Sequence, residues 1–325
     1  MSISKTHQGP RLVSIDDAHE GQRIDNFLIT ALKGVPKSHI YRVLRKGEVR
    51  VNKGRIKPTY RLQAGDTVRI PPIHVAEPGE YVPPTAHVLQ RIENSIIYED
   101  SALIIINKPS GIAVHGGSGL SYGVIEALRA ARPDAHHLEL VHRLDRDTSG
   151  CLMIAKKRSM LRSLHELLRT DHGIDKCYLA LIMGQWQGGK RVVDAALSKN
   201  ELRSGERVVR VSDEGKSSAS VFRPQRVFAE ASLMEVRPLT GRTHQIRVHA
   251  AHVGQPVAGD EKYGDAEFNR RMAALGVKRL FLHAHALTFE VPETGQKVSV
   301  TAPLSDDLKE VLARLEKAEK AHDAE

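Results

Sequence analysis

Apolar and polar positions change their spacing along this chain, and the change divides it. Between residues 23 and 46 the apolar residues fall at helical intervals, with Ile24, Phe27 and Leu28 on one stripe and Ile40, Val43 and Leu44 on another. Lys33-Gly34-Val35-Pro36 breaks the first helix, Ser38 reads as the N-cap of a second over residues 39–46, and Gly47 reads as its end. Val49 to Ile56 predicts two short strands around an Asn52-Lys53-Gly54 turn. Apolar positions then thin out where Pro71, Pro72, Pro78, Pro83 and Pro84 predict an extended, semi-rigid linker. From Ile96 the pattern becomes short continuous apolar runs, including residues 103–106, 151–155, 178–183, 219–222, 232–236 and 287–291. Helical stretches lie among them at 123–131 and at 156–169, the latter with Leu161, Leu164, Leu167 and Leu168 inward. Helices do not alternate strictly with strands, which predicts an α+β fold with a mixed or antiparallel sheet. The expected layout is a tail over 1–20, a small domain over 21–72, a linker over 73–95, a larger domain over 96–304 and a helical tail over 305–325.

Composition narrows the class. With 325 residues and 41% apolar content the chain can bury a sizeable core, and it holds no apolar run near the roughly 20 residues needed to span a bilayer. The segment Met1 to Gln8 lacks the apolar stretch of a secretory signal. Cys151 and Cys177 both sit in apolar strand-like segments, so a disulfide framework is not expected and a reducing cytoplasm is. A catalytic cysteine is the sharper alternative. The formal net charge is +9, and residues 21–70 carry twelve Lys and Arg against Asp25, Glu48 and Asp66, so the whole excess lies in that segment. Such localisation is the footprint of a polyanion-binding module, or, more blandly, of a solvated basic surface.

The densest candidate chemistry is His142-Arg143-Leu144-Asp145-Arg146-Asp147-Thr148-Ser149-Gly150. It runs from a short strand at 138–141 through turn residues into the apolar run at 151–155, which sets Asp145 on a loop between two core strands. Opposite charge within about 4–6 Å favours an ionised carboxylate, and Arg143 and Arg146 flank Asp145. On spacing alone the same residues fit a surface turn whose charges pair in solvent. Tyr178 lies in an apolar strand and on its own fits a packed ring. Arg242 and Arg247 alternate with apolar positions as the outer residues of a strand would. His244, His249 and His252, the pair His283 and His285, and His142 resemble a metal set at first glance, but no cysteine cluster supports one and no metal is expected. Gly116-Gly117-Ser118-Gly119 lacks the Lys-Ser/Thr ending of a phosphate loop and reads as a tight turn.

These segments together resemble the RluA-type pseudouridine synthases. The 142–150 run is similar to that family's central signature, Asn107-Lys108-Pro109-Ser110-Gly111 with Val114-His115-Gly116-Gly117 to its first motif, and Lys176-Cys177-Tyr178-Leu179-Ala180 to its tyrosine motif. Thr240-Gly241-Arg242-Thr243-His244-Gln245-Ile246-Arg247-Val248-His249 resembles the third motif, and Leu282-His283-Ala284 a further one. Order and spacing agree over about residues 96–303. Residues 21–71 and 114–126 look closest to the RluC type, which acts on large-subunit (23S) ribosomal RNA, and Gly259-Asp260-Glu261 departs slightly from the pattern. The basic segment resembles the S4 RNA-binding fold, which implies Arg42, Arg45, Lys46, Arg50 and Lys53 as phosphate contacts that position RNA without reading its sequence.

What the resemblance implies is isomerisation of specific uridines to pseudouridine: the base leaves its ribose, turns, and rejoins through carbon. Asp145 is then the catalytic carboxylate, with three roles open: attack on the base, attack on the anomeric carbon, or assistance to base departure through a glycal. Arg247 pairs with Asp145, Tyr178 packs on the uracil and is placed as a base toward the sugar, and Arg143 enters the stack where the uridine has flipped out. No cofactor is implied. The expected partner is ribosomal RNA, with no membrane and no protein partner, and the expected state is a monomer. Two other classes compete: a metal-dependent nuclease built on the histidines and Asp145, and a non-catalytic RNA-binding protein.

Overall fold

The computed structural model describes residues 10–32, 35, 37–73, 83–117, 121–135, 137–170, 173–201, 207–292 and 294–322. They fall into two compact units that divide between residues 81 and 82.

The first unit contains β1 (Arg11–Ser14), α1 (Ile24–Ala31), α2 (Lys37–Lys46), β2 (Arg50–Val51), β3 (Gly54–Arg55) and β4 (Thr67–Ile70). Its antiparallel sheet runs in the order β1-β4-β2-β3. The periodic apolar residues make its core: Ile24, Leu28, Ile40 and Leu44 are all essentially inaccessible and pack with Val51 and Val68. Helix α2 begins at Lys37, two residues before the expected start, which places Ser38 within its first turn. The helix ends at Gly47, which takes φ of 71°, while the Glu48 N–H donates to the Val43 carbonyl at 3.0 Å. Asn52 and Lys53 both hold positive φ, the geometry of a tight two-residue hairpin turn, and Asn52 secures it by donating to Asp66 Oδ1 and accepting from the Thr67 N–H. Part of the expected 1–20 tail is structured. Arg11–Ser14 pairs antiparallel with β4, from Arg11 opposite Ile70 to Ser14 opposite Thr67, and Ile15 is buried. Four residues are too few to show a period, and only the open edge of β4 gives them a partner.

The second unit contains α3 (Ala86–Glu93), β5 (Ile96–Glu99), β6 (Leu103–Lys108), α4 (Val124–Ala131), β7 (Glu139–Leu140), β8 (Ser149–Ala155), α5 (Arg158–Leu167), β9 (Ile174–Met183), β10 (Arg191–Asp194), β11 (Leu197–Glu201), β12 (Arg207–Val211), β13 (Ala219–Val227), β14 (Ala231–Pro238), α6 (Gln245–His252), α7 (Ala266–Ala274), β15 (Leu282–Glu290), β16 (Lys297–Thr301) and α8 (Asp306–His322). One ten-stranded mixed sheet runs β10-β13-β14-β9-β15-β8-β6-β5, with β16 on β15 and β7 on β8. Strand β8 is buried at every residue, and β6 nearly so, which is why both read as unbroken apolar runs. Among the described pairings only β8 with β15 is parallel. A two-stranded ribbon, β11 with β12, stands apart from the large sheet.

Two expected boundaries shift. Helix α3 falls within the predicted linker; Thr85 caps it by accepting from the Val88 N–H, and Ile92 is fully buried. Residues 74–82 of that linker, Pro78 among them, lie outside the described residues. At the other end α8 is no free tail, because Leu308, Val311 and Leu315 pack into a core with Phe268, Met272 and Phe281. Its many Lys and Glu residues mark only the outer face of a docked amphipathic helix.

Candidate active site

The loop of residues 142–148 leaves β7 and enters β8, and its exit is fixed by backbone contact. Gly150 has φ of 107°, and a Cβ there would lie 2.2 Å from the Ala284 carbonyl of the parallel neighbour β15, so only glycine fits. Beside it the Ser149 hydroxyl bonds His283 Nδ1 at 2.9 Å, and His283 Nε2 donates to the Ala302 carbonyl at 3.0 Å.

Lys108, at the end of β6, grips the loop from below. It is fully buried, and its Nζ donates to the carbonyls of Pro109, Ile112 and Arg146, each at 2.9 Å. Burial pulls its ammonium down to about 7, opposed by the nearby Asp147 and Asp145 charges. The Gly111 N–H donates to the same Arg146 carbonyl, and the Ser110 hydroxyl to the Asp147 carbonyl. The first motif thus acts as a clamp on the central one.

Asp145 finds its charged neighbours far away in sequence. Arg146 pairs with Asp147 at 3.1 Å, and the guanidinium beside Asp145 is that of Arg247, whose Nη1 is 3.4 Å from Oδ2. On the other side His244 Nε2 lies 3.7 Å from Oδ1. Arg247 is itself anchored by Asp260 in a bidentate pair with both distances 2.7 Å, and its guanidinium lies over the Tyr263 ring at 5.0 Å. Asp260 is fully buried; burial pushes its carboxyl up, but the Arg247 bonds and charge outweigh this and hold it below the ordinary carboxylate value. Oδ1 of Asp260 also accepts the N–H groups of Lys262 and Tyr263.

The third motif is not a strand. Residues 240–244 form a loop and 245–252 form α6, whose Ile246, Arg247, Val248, His249 and Ala250 are all buried. Its first six residues are all buried while His252 at its end is exposed, and its apolar residues at 246, 248 and 250 imitate strand alternation. Gln245 organises the loop: its carbonyl accepts from Thr240 Oγ1 and the Arg242 N–H, while its amide donates to the Ala219 carbonyl and Ser220 Oγ.

Arg143, Asp145, Tyr178, His244 and Arg247 line one cleft of about 910 Å³. Arg143 is exposed at its edge, and Lys190 and Arg223 add positive charge to the lining. Burial, with the Asp145 charge, pushes the Tyr178 phenol well above its ordinary value, so it is neutral at physiological pH. A neutral phenol can donate a hydrogen bond, and it accepts a proton only as it passes its own on. Several of the other histidines are occupied by the protein. His142 Nε2 accepts from the Met153 N–H, and His249 bonds Ser220, Ser218 and the Ala195 carbonyl. Burial holds the free thiols of Cys151 and Cys177 up at about 11, the opposite of what a nucleophile needs. Ser118 and Gly119 of the expected glycine turn lie outside the described residues. In the first unit Arg42, Arg45, Lys46, Arg50 and Lys53 are all exposed, the first three on the outer face of α2 and the last two on the hairpin.

Sequence reasoning assigned no role to Asp260, Lys108, Gln245 or Tyr263. Asp260 was the most accessible of these: an arginine surrounded by Ile246, Val248 and Ala250 is headed for burial and requires a carboxylate.

The chain is similar to known proteins. The profile of the RNA pseudouridylate synthase family matches residues 102–252, and that of the S4 domain matches residues 22–68. The ribosomal large subunit pseudouridine synthase C of Pasteurella multocida is 57% identical over 311 residues, 95% of each chain. Its counterpart in Escherichia coli strain K12 is 58% identical over 311 residues, 95% of this chain and 97% of the relative. Among solved structures, human RNA pseudouridylate synthase domain containing 4 aligns with a TM-score of 0.59 at 25% identity, over 71% of this chain and 96% of that one.

Proposed function

This chain belongs to the RNA pseudouridylate synthase family, and from that premise we propose that it isomerises specific uridines of large-subunit ribosomal RNA, with Asp145 as the catalytic carboxylate. The C1′–N1 bond of the uridine breaks, the uracil turns within the cleft, a C1′–C5 bond forms, and the C5 proton is lost as N1 gains one. Every atom of the nucleotide is conserved, and no oxidant or reductant enters.

The observation that carries the proposal is the setting of Asp145: a carboxylate on a clamped loop, with Arg247 at one oxygen and His244 at the other, facing a cleft large enough for a nucleoside. Arg247 reaches the carboxylate without leaving its own anchor on Asp260, so Asp145 is pre-aimed. Tyr178 supplies a flat face and a neutral hydroxyl in the same cleft. A uridine inside a helix cannot reach such a site. It is therefore extruded, and Arg143, exposed at the cleft edge two residues before Asp145, stacks into the gap. The exposed cations of α2 and the β2–β3 hairpin hold RNA by its phosphates.

The test is Asp145→Asn. The amide keeps the volume and loses the charge, so pseudouridine formation in a large-subunit RNA transcript should vanish while RNA binding persists. Turnover by a pure, folded Asp145→Asn protein would overturn the assignment. Mapping of pseudouridine in ribosomal RNA from cells with and without the protein identifies the uridines, and an unchanged map would overturn the substrate.

A further inference from the structure

His244 holds a left-handed backbone, φ 54° and ψ 19°, at the residue that precedes α6. A side chain with a Cβ adopts that conformation at a cost of about 1 kcal/mol, and such strain persists where the surroundings enforce it. Here it turns the imidazole so that its two nitrogens meet different partners. Nδ1 lies 2.7 Å from the Tyr263 hydroxyl, and Nε2 lies 3.7 Å from Asp145 Oδ1.

The surroundings of the ring favour one tautomer. The Tyr263 hydroxyl accepts the Val209 N–H at 3.0 Å and has its own hydrogen to give His244 Nδ1, whereas a bare Nε2 would turn its lone pair toward the Asp145 carboxylate. The nitrogen that accepts in a neutral imidazole is the bare one, so the ring proton sits on Nε2, on the side of Asp145. Burial lowers the imidazole below its ordinary value against the pull of Asp145, which favours this neutral form. The two oxygens of Asp145 therefore face one donor each, Arg247 at Oδ2 and His244 at Oδ1.

We propose that His244 is a positioning residue of the reaction: locked by Tyr263 with its proton on Nε2, it sets a donor facing Asp145 Oδ1 across 3.7 Å and biases the carboxylate toward one orientation while the C1′–N1 bond breaks. This rests on Asp145 being the catalytic carboxylate. The chain Val209, Tyr263, His244, Asp145 also joins the β11–β12 ribbon to the cleft, because Val209 lies on β12. Tyr263 acts through His244, and its ring separately supports Arg247.

The test compares full-length His244→Gln, Tyr263→Phe and the double variant in single-turnover pseudouridine formation and in RNA affinity. His244→Gln should lower the rate by about tenfold with affinity unchanged, the low end of what a polar contact to a charged group contributes. Tyr263→Phe, which keeps the ring over Arg247, should lower the rate severalfold alone and add nothing to His244→Gln, since the second change removes what the first acts through. His244→Asn tolerates the left-handed backbone and should show the same rate loss in a protein whose folding is undisturbed. Imidazole nitrogen NMR should find the His244 proton on Nε2 in the wild type and a tautomer mixture in Tyr263→Phe. Additive rate losses, a proton on Nδ1, or full activity in His244→Asn would each overturn the proposal. A wild type that forms no pseudouridine would instead defeat the functional reading, and the tautomer would still be measurable.

Discussion

Asp260→Asn isolates what holds the arginine behind the catalytic carboxylate. Asp260 has no exposed side-chain surface and Arg247 only 10%, so their pair is shielded from solvent. In the variant the amide oxygen can still accept from Arg247 Nη2 and from the N–H groups of Lys262 and Tyr263, but the amide nitrogen now opposes the Nε–H of Arg247. One hydrogen bond is lost and a buried cation is left with Asp145 as its remaining carboxylate, at the longer distance of 3.4 Å. Removing one partner of a buried pair costs about 3–5 kcal/mol. At roughly 2–4 °C per kcal/mol for a domain of this size, Tm should fall by about 6–20 °C.

Activity should fall separately, because an unanchored Arg247 swings and no longer presents Nη1 to Asp145 at a fixed place. A loss of about tenfold or more in single-turnover rate is expected, with RNA affinity little changed. The double variant Asp260→Asn, Arg247→Met separates the two effects: with no buried charge left, much of the lost Tm should return, while the rate should not. Thermal melting and single-turnover pseudouridine assays on the three proteins make the comparison. An Asp260→Asn protein with wild-type Tm and rate would refute the reasoning, as would a double variant no more stable than the single.

Three further outcomes are expected. Arg143→Ala should slow reaction on structured RNA more than on a flexible single strand, because its work is to replace an extracted base; equal loss on both would point to loop damage or direct chemistry. A protein beginning at Val82 should fold and keep catalytic turnover at saturating RNA, while the slope of log affinity against log salt falls by roughly 2–4 units if about three to five phosphate contacts leave with the first unit; an unaltered slope would show that this unit binds something else. His283, buried and held down at about 4 from an ordinary 6.5, gives an acid signature. Between those values the unfolded chain takes up a proton that the folded one refuses, so stability should drop as pH falls from about 6.5 to about 4 and level off below, by about 3 kcal/mol. Urea midpoints across that window should slope less in His283→Gln, and parallel slopes would sink the assignment.

How much of this was legible in the sequence depended on whether a feature is local. The helices of the first unit and the hairpin turn at Asn52-Lys53 could be read because spacing, breaker residues and turn chemistry all act within a few residues. The buried strands β6 and β8 announced themselves as apolar runs because both faces are covered. The strand Arg11–Ser14 and the packed helix α8 escaped because each is defined by what it rests on. A four-residue edge carries no period, and a charged helix shows solvent its charged side while three apolar residues do the docking.

The site shows the same division more sharply. Asp145 was legible as a carboxylate on a loop between core strands, but its neighbours in sequence turned out to be the wrong source of positive charge: Arg146 turns to Asp147. The cation that matters lies 102 residues onward, on a helix that imitated a strand because its first six residues are all buried. The parallel pairing of β8 with β15, in a sheet otherwise antiparallel over its described pairings, fixes the loop exit, and Gly150 is the local trace of that pairing. What can be read from the chain is therefore a demand rather than an address. An arginine among Ile246, Val248 and Ala250 must find carboxylates, and Asp145 on a strand-bounded loop must find a cation; spacing alone does not pair them, and it is the family resemblance that names Arg247 as the partner the fold sets at 3.4 Å. Once paired, Arg247 has two acids and one charge, and the tighter grip goes to Asp260 at 2.7 Å, which leaves Asp145, at 3.4 Å, not consumed by its partner. A carboxylate held that loosely still has lone pairs to offer a nucleotide, and one held as Asp260 is would have none.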